Sequence, residues 1–120
     1  DHLAWCSERL EELDAKPSLL NPFWYLASFG IGATAGFISD SVSYGFVVET
    51  EKQVMKHLDS HLKELPVNDN RSREILKQMY IDESEHALEA EKAGGKKLPM
   101  PIRAVMKLQS KIMTTLAYRF

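Results

Sequence analysis

Leu65-Pro66-Val67-Asn68-Asp69-Asn70 separates two long helical patterns, and the way those patterns face each other decides the fold. Pro, Asn and Asp in close succession make a turn. Upstream of it, apolar residues recur at helical spacing through Tyr44, Val47, Val48, Val54, Met55, Leu58 and Leu62. Downstream, a second helix is expected from about Arg71 to Ala93, where Gly94-Gly95 ends it. So short a turn between long helices makes them pack antiparallel. The upstream pattern reads as one continuous helix from Asn21-Pro22, a start signal, to about Leu65. Residues 1–15 read as another helix, broken by Lys16-Pro17-Ser18, and Pro99 and Pro101 open a last one that runs to Phe120. No strand-type alternation, internal repeat or nucleotide-binding glycine loop is visible. The expected fold class is all-α, one domain over residues 1–120.

Acids on the apolar faces carry the chemistry. At about 100° per residue, the apolar positions flanking Glu51 all fall within roughly 60° of it. Glu49 points nearly the opposite way, among Phe46, Lys52, Gln53 and Lys56, and reads as a solvated acid. Glu83 repeats the pattern of Glu51, with Leu76, Met79, Tyr80, His86, Ala87 and Ala90 around it, whereas Glu85 faces out. Glu83-Ser84-Glu85-His86 therefore supplies an inward Glu-x-x-His pair. Glu51 stands 16 residues before Val67 and Glu83 stands 16 after it. At about 1.5 Å per residue both reach one level of the hairpin. Buried carboxylates cost several kcal/mol unless paired or bound to a cation. Lys or Arg would be the ordinary partner, but few basic residues lie on these stripes. The expectation is a metal. Glu plus Glu-x-x-His is half of the di-iron carboxylate motif of ferritin-like bundles. His2 reads as the surviving His of the other half; taken alone it would read as a surface residue.

Composition narrows the class. Among 120 residues, 44% are hydrophobic and 27% charged, which is globular rather than disordered. A net charge of −2 disfavours a general nucleic-acid binder. One cysteine, Cys6, excludes an internal disulfide. The first 16 residues are too charged for a signal peptide. The chain starts without Met inside what already reads as a helix, pointing to a fragment or a processed chain. Residues 17–39 carry no charge, long enough to span a bilayer, but Ser18, Asn21, Ser28, Thr34, Ser39 and three glycines dilute them. A buried or membrane-dipping helix is the expectation there. In 102–120, Ile102, Val105, Met106, Ile112, Met113 and Leu116 form an apolar stripe, and Arg103, Lys107 and Lys111 a basic line. Such a helix suits anionic headgroups, or else is a bundle helix with a solvated basic face.

Asp1-His2-Leu3-Ala4-Trp5, Pro17-Ser18-Leu19-Leu20-Asn21-Pro22-Phe23-Trp24-Tyr25, Glu49-Thr50-Glu51 with His57-Leu58, and Asp82-Glu83-Ser84-Glu85-His86 resemble the demethoxyubiquinone hydroxylase family of ubiquinone biosynthesis. The resemblance covers all 120 residues. It implies a ferritin-like di-iron carboxylate four-helix bundle, partial in this chain, with an extra amphipathic C-terminal helix. The chain would be the C-terminal part of that hydroxylase domain, lacking the first helix and the upstream glutamate ligands. By resemblance, the metal ligands fall on His2, Glu51, Glu83 and His86. Asp82 follows the pattern of an acid that orients a ligand His. His57 matches a family His near the site and, being about 120° off the Glu51 face, is no ligand but lies behind the ligands or on the substrate side. Tyr25, Tyr44 and Tyr80 read as core, His61 as surface.

The implied activity is O2-dependent hydroxylation of the ring of a polyprenyl demethoxyquinone or its quinol, the penultimate step of ubiquinone biosynthesis. The implied cofactor is iron, two per full-length subunit, with NADH as a candidate electron donor. The implied setting is the cytoplasmic side of a bacterial inner membrane, bound peripherally. Partners would be the quinone or quinol, O2 and the membrane surface, with other ubiquinone-biosynthesis proteins as further candidates, room for an oligomer and no role for nucleic acid. Two other readings compete. One is a ferritin-like protein handling iron or peroxide, and the other a non-catalytic helical scaffold at the membrane.

Overall fold

A computed structural model describes residues 1–120 as five helices and no strand. They are α1 (His2–Glu12), α2 (Asn21–Ile38), α3 (Asp40–Glu64), α4 (Asn70–Lys92) and α5 (Met100–Arg119). The all-α expectation and the hairpin of α3 and α4 are realised. The expected single helix from Asn21 to Leu65 is not. The chain breaks at Ser39, whose backbone is extended (φ −172°, ψ 161°). Its hydroxyl accepts a hydrogen bond from the Val42 N–H at 3.1 Å. Asp40 adds an acid to the first turn of α3, where the helix dipole favours it. Ser39-Asp40 is thus a helix start that the run of apolar residues on both sides conceals.

Only 8 of 120 residues are buried, so the core is a thin seam rather than a centre. Val48 and Leu58 of α3 and Ala87 and Ala90 of α4 are buried along it, and Glu83 lies in the same row as the alanines. The two alanines keep the α4 side of the seam small, so α3 packs closely. Two devices hold the other elements to it. At one end, Arg9 of α1 donates to Asp69 Oδ1 at 2.8 Å and to Ser72 Oγ at 2.9 Å. Asp69 caps α4 by accepting from the Ser72 N–H at 3.1 Å. Bonds from Ser72 and then Arg9 hold the Asp69 carboxyl below its ordinary range. At the other end, the strap 94–98 lies across the start of α3. Lys96 N–H bonds to Ser41 O at 3.1 Å, Leu98 is buried, and a Cβ built on Gly45 would collide with the Lys96 carbonyl oxygen. Gly94, at φ +107°, starts that strap in the left-handed region that glycine tolerates.

The uncharged stretch does not form a buried helix within this chain. In α2 only Ala35 is buried, while Phe29 is 68% and Phe37 95% exposed. No helix is long and apolar enough to cross a membrane. Within this chain Tyr25, Tyr44 and Tyr80 are exposed, not core as expected. Between α2, α3 and α5 runs an apolar groove of about 530 Å³, with Leu26, Ile31, Phe46, Ile102, Val105 and Met106 among its walls.

Candidate metal centre

The α3/α4 hairpin brings Glu51, Glu83 and His86 to one level, with one ligating atom of each within 4.8 Å of the others. Equal distances from the turn on two antiparallel helices require this. His86 Nδ1 lies 3.5 Å from Glu83 Oε2 and 4.0 Å from Glu51 Oε1. Glu83 is 8% exposed and Glu51 half-buried. Neither carboxylate has a Lys or Arg within ion-pair distance; histidines are their only cationic neighbours. His86 itself is exposed, its side chain 51% accessible.

His2 of α1 lies beside this trio and is not one of it. Its Nδ1 faces Glu83 Oε1 at 2.9 Å and its Nε2 faces Asp82 Oδ2 at 2.8 Å. Both ring nitrogens thus face carboxylate oxygens. Asp82 also accepts from Gln78 Nε2 at 2.9 Å. The bond from His2, and then that from Gln78, holds its carboxyl below the ordinary range. Gln78 escaped the sequence reading, although its i,i+4 spacing to Asp82 on one helix was a usable signal.

His57 lies apart from this cluster. It turns toward α5, with Nε2 2.9 Å from Ser110 Oγ. Burial, then repulsion from His61, pushes its imidazole below the ordinary histidine range. Glu49 is half-buried rather than fully solvated and accepts from Gln53 Nε2 at 3.3 Å. Glu85 is exposed, as expected.

Two hard carboxylate donors and an imidazole, clustered on a helical hairpin and lacking a lysine or arginine counter-ion, fit a divalent transition metal such as Fe(II). Fold and site together define an all-helical bundle protein that carries a candidate carboxylate–histidine metal site. The chain belongs to the family of the ubiquinone biosynthesis protein COQ7, which matches residues 1–117. It is 88% identical over 120 residues to the 3-demethoxyubiquinol 3-hydroxylase of Francisella philomiragia subsp. philomiragia. It is 86% identical to the enzyme of that name from Francisella tularensis subsp. tularensis and 85% identical to that from subsp. holarctica. Each comparison covers the whole of this chain and 57% of the relative. No solved structure matches.

Proposed function

We propose that the protein containing this chain hydroxylates the ring of a polyprenyl demethoxyquinol at a non-haem iron centre, as the names of its relatives suggest. The observation that carries the metal reading is the convergence of Glu51, Glu83 and His86 without a lysine or arginine partner. In this reading those three hold the metal. His2 joins them through Nδ1, the nitrogen turned to the cluster, while Asp82 holds Nε2 and so fixes the ring, the usual division of labour for a ligating histidine. Gln78 in turn holds Asp82. A two-iron site would need further ligands besides these four.

Bound iron would supply the redox chemistry of O2. The overall balance is one ring C–H, O2, two electrons and two protons giving C–OH and water, with NADH as the candidate source of electrons. The chain's own part is to hold the ligands rigidly on two packed helices and to receive an apolar substrate. The groove between α2, α3 and α5 offers an apolar wall suited to a polyprenyl tail. The exposed aromatic and aliphatic residues of α2 suit peripheral attachment to the membrane that holds such a substrate. That same surface favours the hydroxylase over an iron store in a soluble cage, which has no use for it.

The test combines two measurements on the full-length protein. Iron per polypeptide should approach two after aerobic or reductive loading. A strain deleted for the gene should accumulate the demethoxy intermediate and lose it on complementation. Metal content near zero would remove the centre, and unchanged quinone composition would remove the substrate assignment while leaving the metal site.

A further inference from the structure

The basic line of α5 does not simply face solvent. Arg103, Lys107 and Lys111 stand across a cleft of about 440 Å³ from Lys52 and Lys56 of α3. Five cations therefore line one hollow, and the single acid in it is Glu49, already engaged with Gln53. Lys52 reaches Glu91 at 3.4 Å, and no carboxylate lies within ion-pair distance of the other four. Like charges gathered this way repel, and nothing in the chain relieves them. Arg103 supplies the second observation. Its Nε is shut off from solvent and has no hydrogen-bond partner. A buried, unsatisfied guanidinium N–H is uncommon and calls for a ligand or another explanation. His57 and Ser110, 2.9 Å apart, complete the lining with polar groups.

We propose that this α3/α5 cleft binds a phosphate-bearing anion, with Arg103 and Lys107 as its principal contacts. A planar guanidinium and nearby ammonium groups match phosphate oxygens in charge and geometry. The site is separate from the metal cluster: Lys52 and Lys56 lie about 100° to 140° around α3 from Glu51. Two sources carry such a phosphate, a lipid headgroup, since α5 borders the exposed apolar groove on its other flank, and a soluble phosphate compound.

The test uses the purified full-length protein at low salt. One arm titrates inorganic pyrophosphate by calorimetry. The other floats vesicles of phosphatidylglycerol against vesicles of phosphatidylcholine. Arg103→Gln and Lys107→Gln should each weaken anion binding about tenfold, a loss of about 1.4 kcal/mol. Lys77→Gln, the same charge change at an exposed position of α4 outside the cleft, should leave it unchanged. Unfolding midpoints establish that each variant is folded, and if Arg103→Gln fails, the exposed pair Lys107→Gln with Lys111→Gln replaces it. Pyrophosphate binding that depends on these residues identifies a soluble source. Preference for phosphatidylglycerol with the same dependence, and no pyrophosphate binding, identifies the headgroup. Absence of both, or equal loss in Lys77→Gln, overturns the proposal.

Discussion

Glu51→Ala in the full-length protein should abolish iron binding and hydroxylation, while Glu49→Ala should leave both largely intact. Residues two apart on a helix differ by about 200° in direction. Glu51 therefore reaches the cluster with Glu83 and His86, and Glu49 lines the cleft on the other side of α3. Glu83→Ala and His86→Ala should behave like Glu51→Ala, and Glu85→Ala like Glu49→Ala. Thermal unfolding gives a second readout. Metal at a hundredfold excess over its dissociation constant stabilises the folded state by about 2.7 kcal/mol, and that increment should vanish in Glu51→Ala. The metal-free proteins should separate the two acids. Glu51→Ala removes a carboxylate with no close partner and should be near neutral. Glu83→Ala breaks the 2.9 Å contact with His2 and leaves space in the seam, so it should destabilise. Equal iron content in Glu51→Ala and wild type would refute the ligand assignment.

Gly45→Ala should be among the most damaging single-atom additions available, costing about 1–3 kcal/mol. The new methyl would strike the Lys96 carbonyl, which is backbone and cannot rotate aside. The strap 94–98 would have to lift from α3, losing the Lys96–Ser41 hydrogen bond and the burial of Leu98. The same strap leads into α5, so the α3/α5 cleft should widen as well. Gly36→Ala is the comparison: nothing lies within 4 Å of its added methyl, and it should be neutral or mildly stabilising. Denaturant unfolding of both variants decides the matter. A Gly45→Ala midpoint equal to that of wild type would mean the strap is not packed as described.

What could be read from the sequence was what local spacing encodes. The α3/α4 hairpin follows from the turn at 65–70, and the meeting of Glu51, Glu83 and His86 follows from periodicity and equal distance from that turn. Family membership followed from the motifs carried on those elements. The break at Ser39 was missed because the residues around it continue a helical pattern, and a cap is a weak signal against that background. The tyrosines were misplaced because an aromatic on an apolar stripe was assumed to face a full core, whereas the seam is narrow. The cleft opposite Arg103, Lys107 and Lys111 was hidden for a different reason. Which side of α5 meets α3 depends on how the strap crosses Gly45, a contact between residues 51 positions apart that no window of sequence contains.

The polar trio in the α3/α4 seam also bears on how the two helices choose their register. The buried residues that α3 and α4 bring to the seam, Val48, Leu58, Ala87 and Ala90, are all apolar, and a slide of one helical turn, about 5.4 Å, would still set apolar residues against apolar residues. Glu83 would not tolerate that slide, because it would face Val47 and Val48, or Val54 and Met55, instead of Glu51, with only His86 of its own helix moving along with it. The metal cluster thus doubles as a ratchet pin, making one alignment of the hairpin distinct from its neighbours. We expect a variant carrying Leu at 51, 83 and 86 to melt at a higher temperature than the metal-free wild type, yet to give broadened amide resonances along α3 and α4 as shifted alignments interconvert. Sharp, wild-type-like resonances in that variant would mean that the apolar residues alone set the alignment.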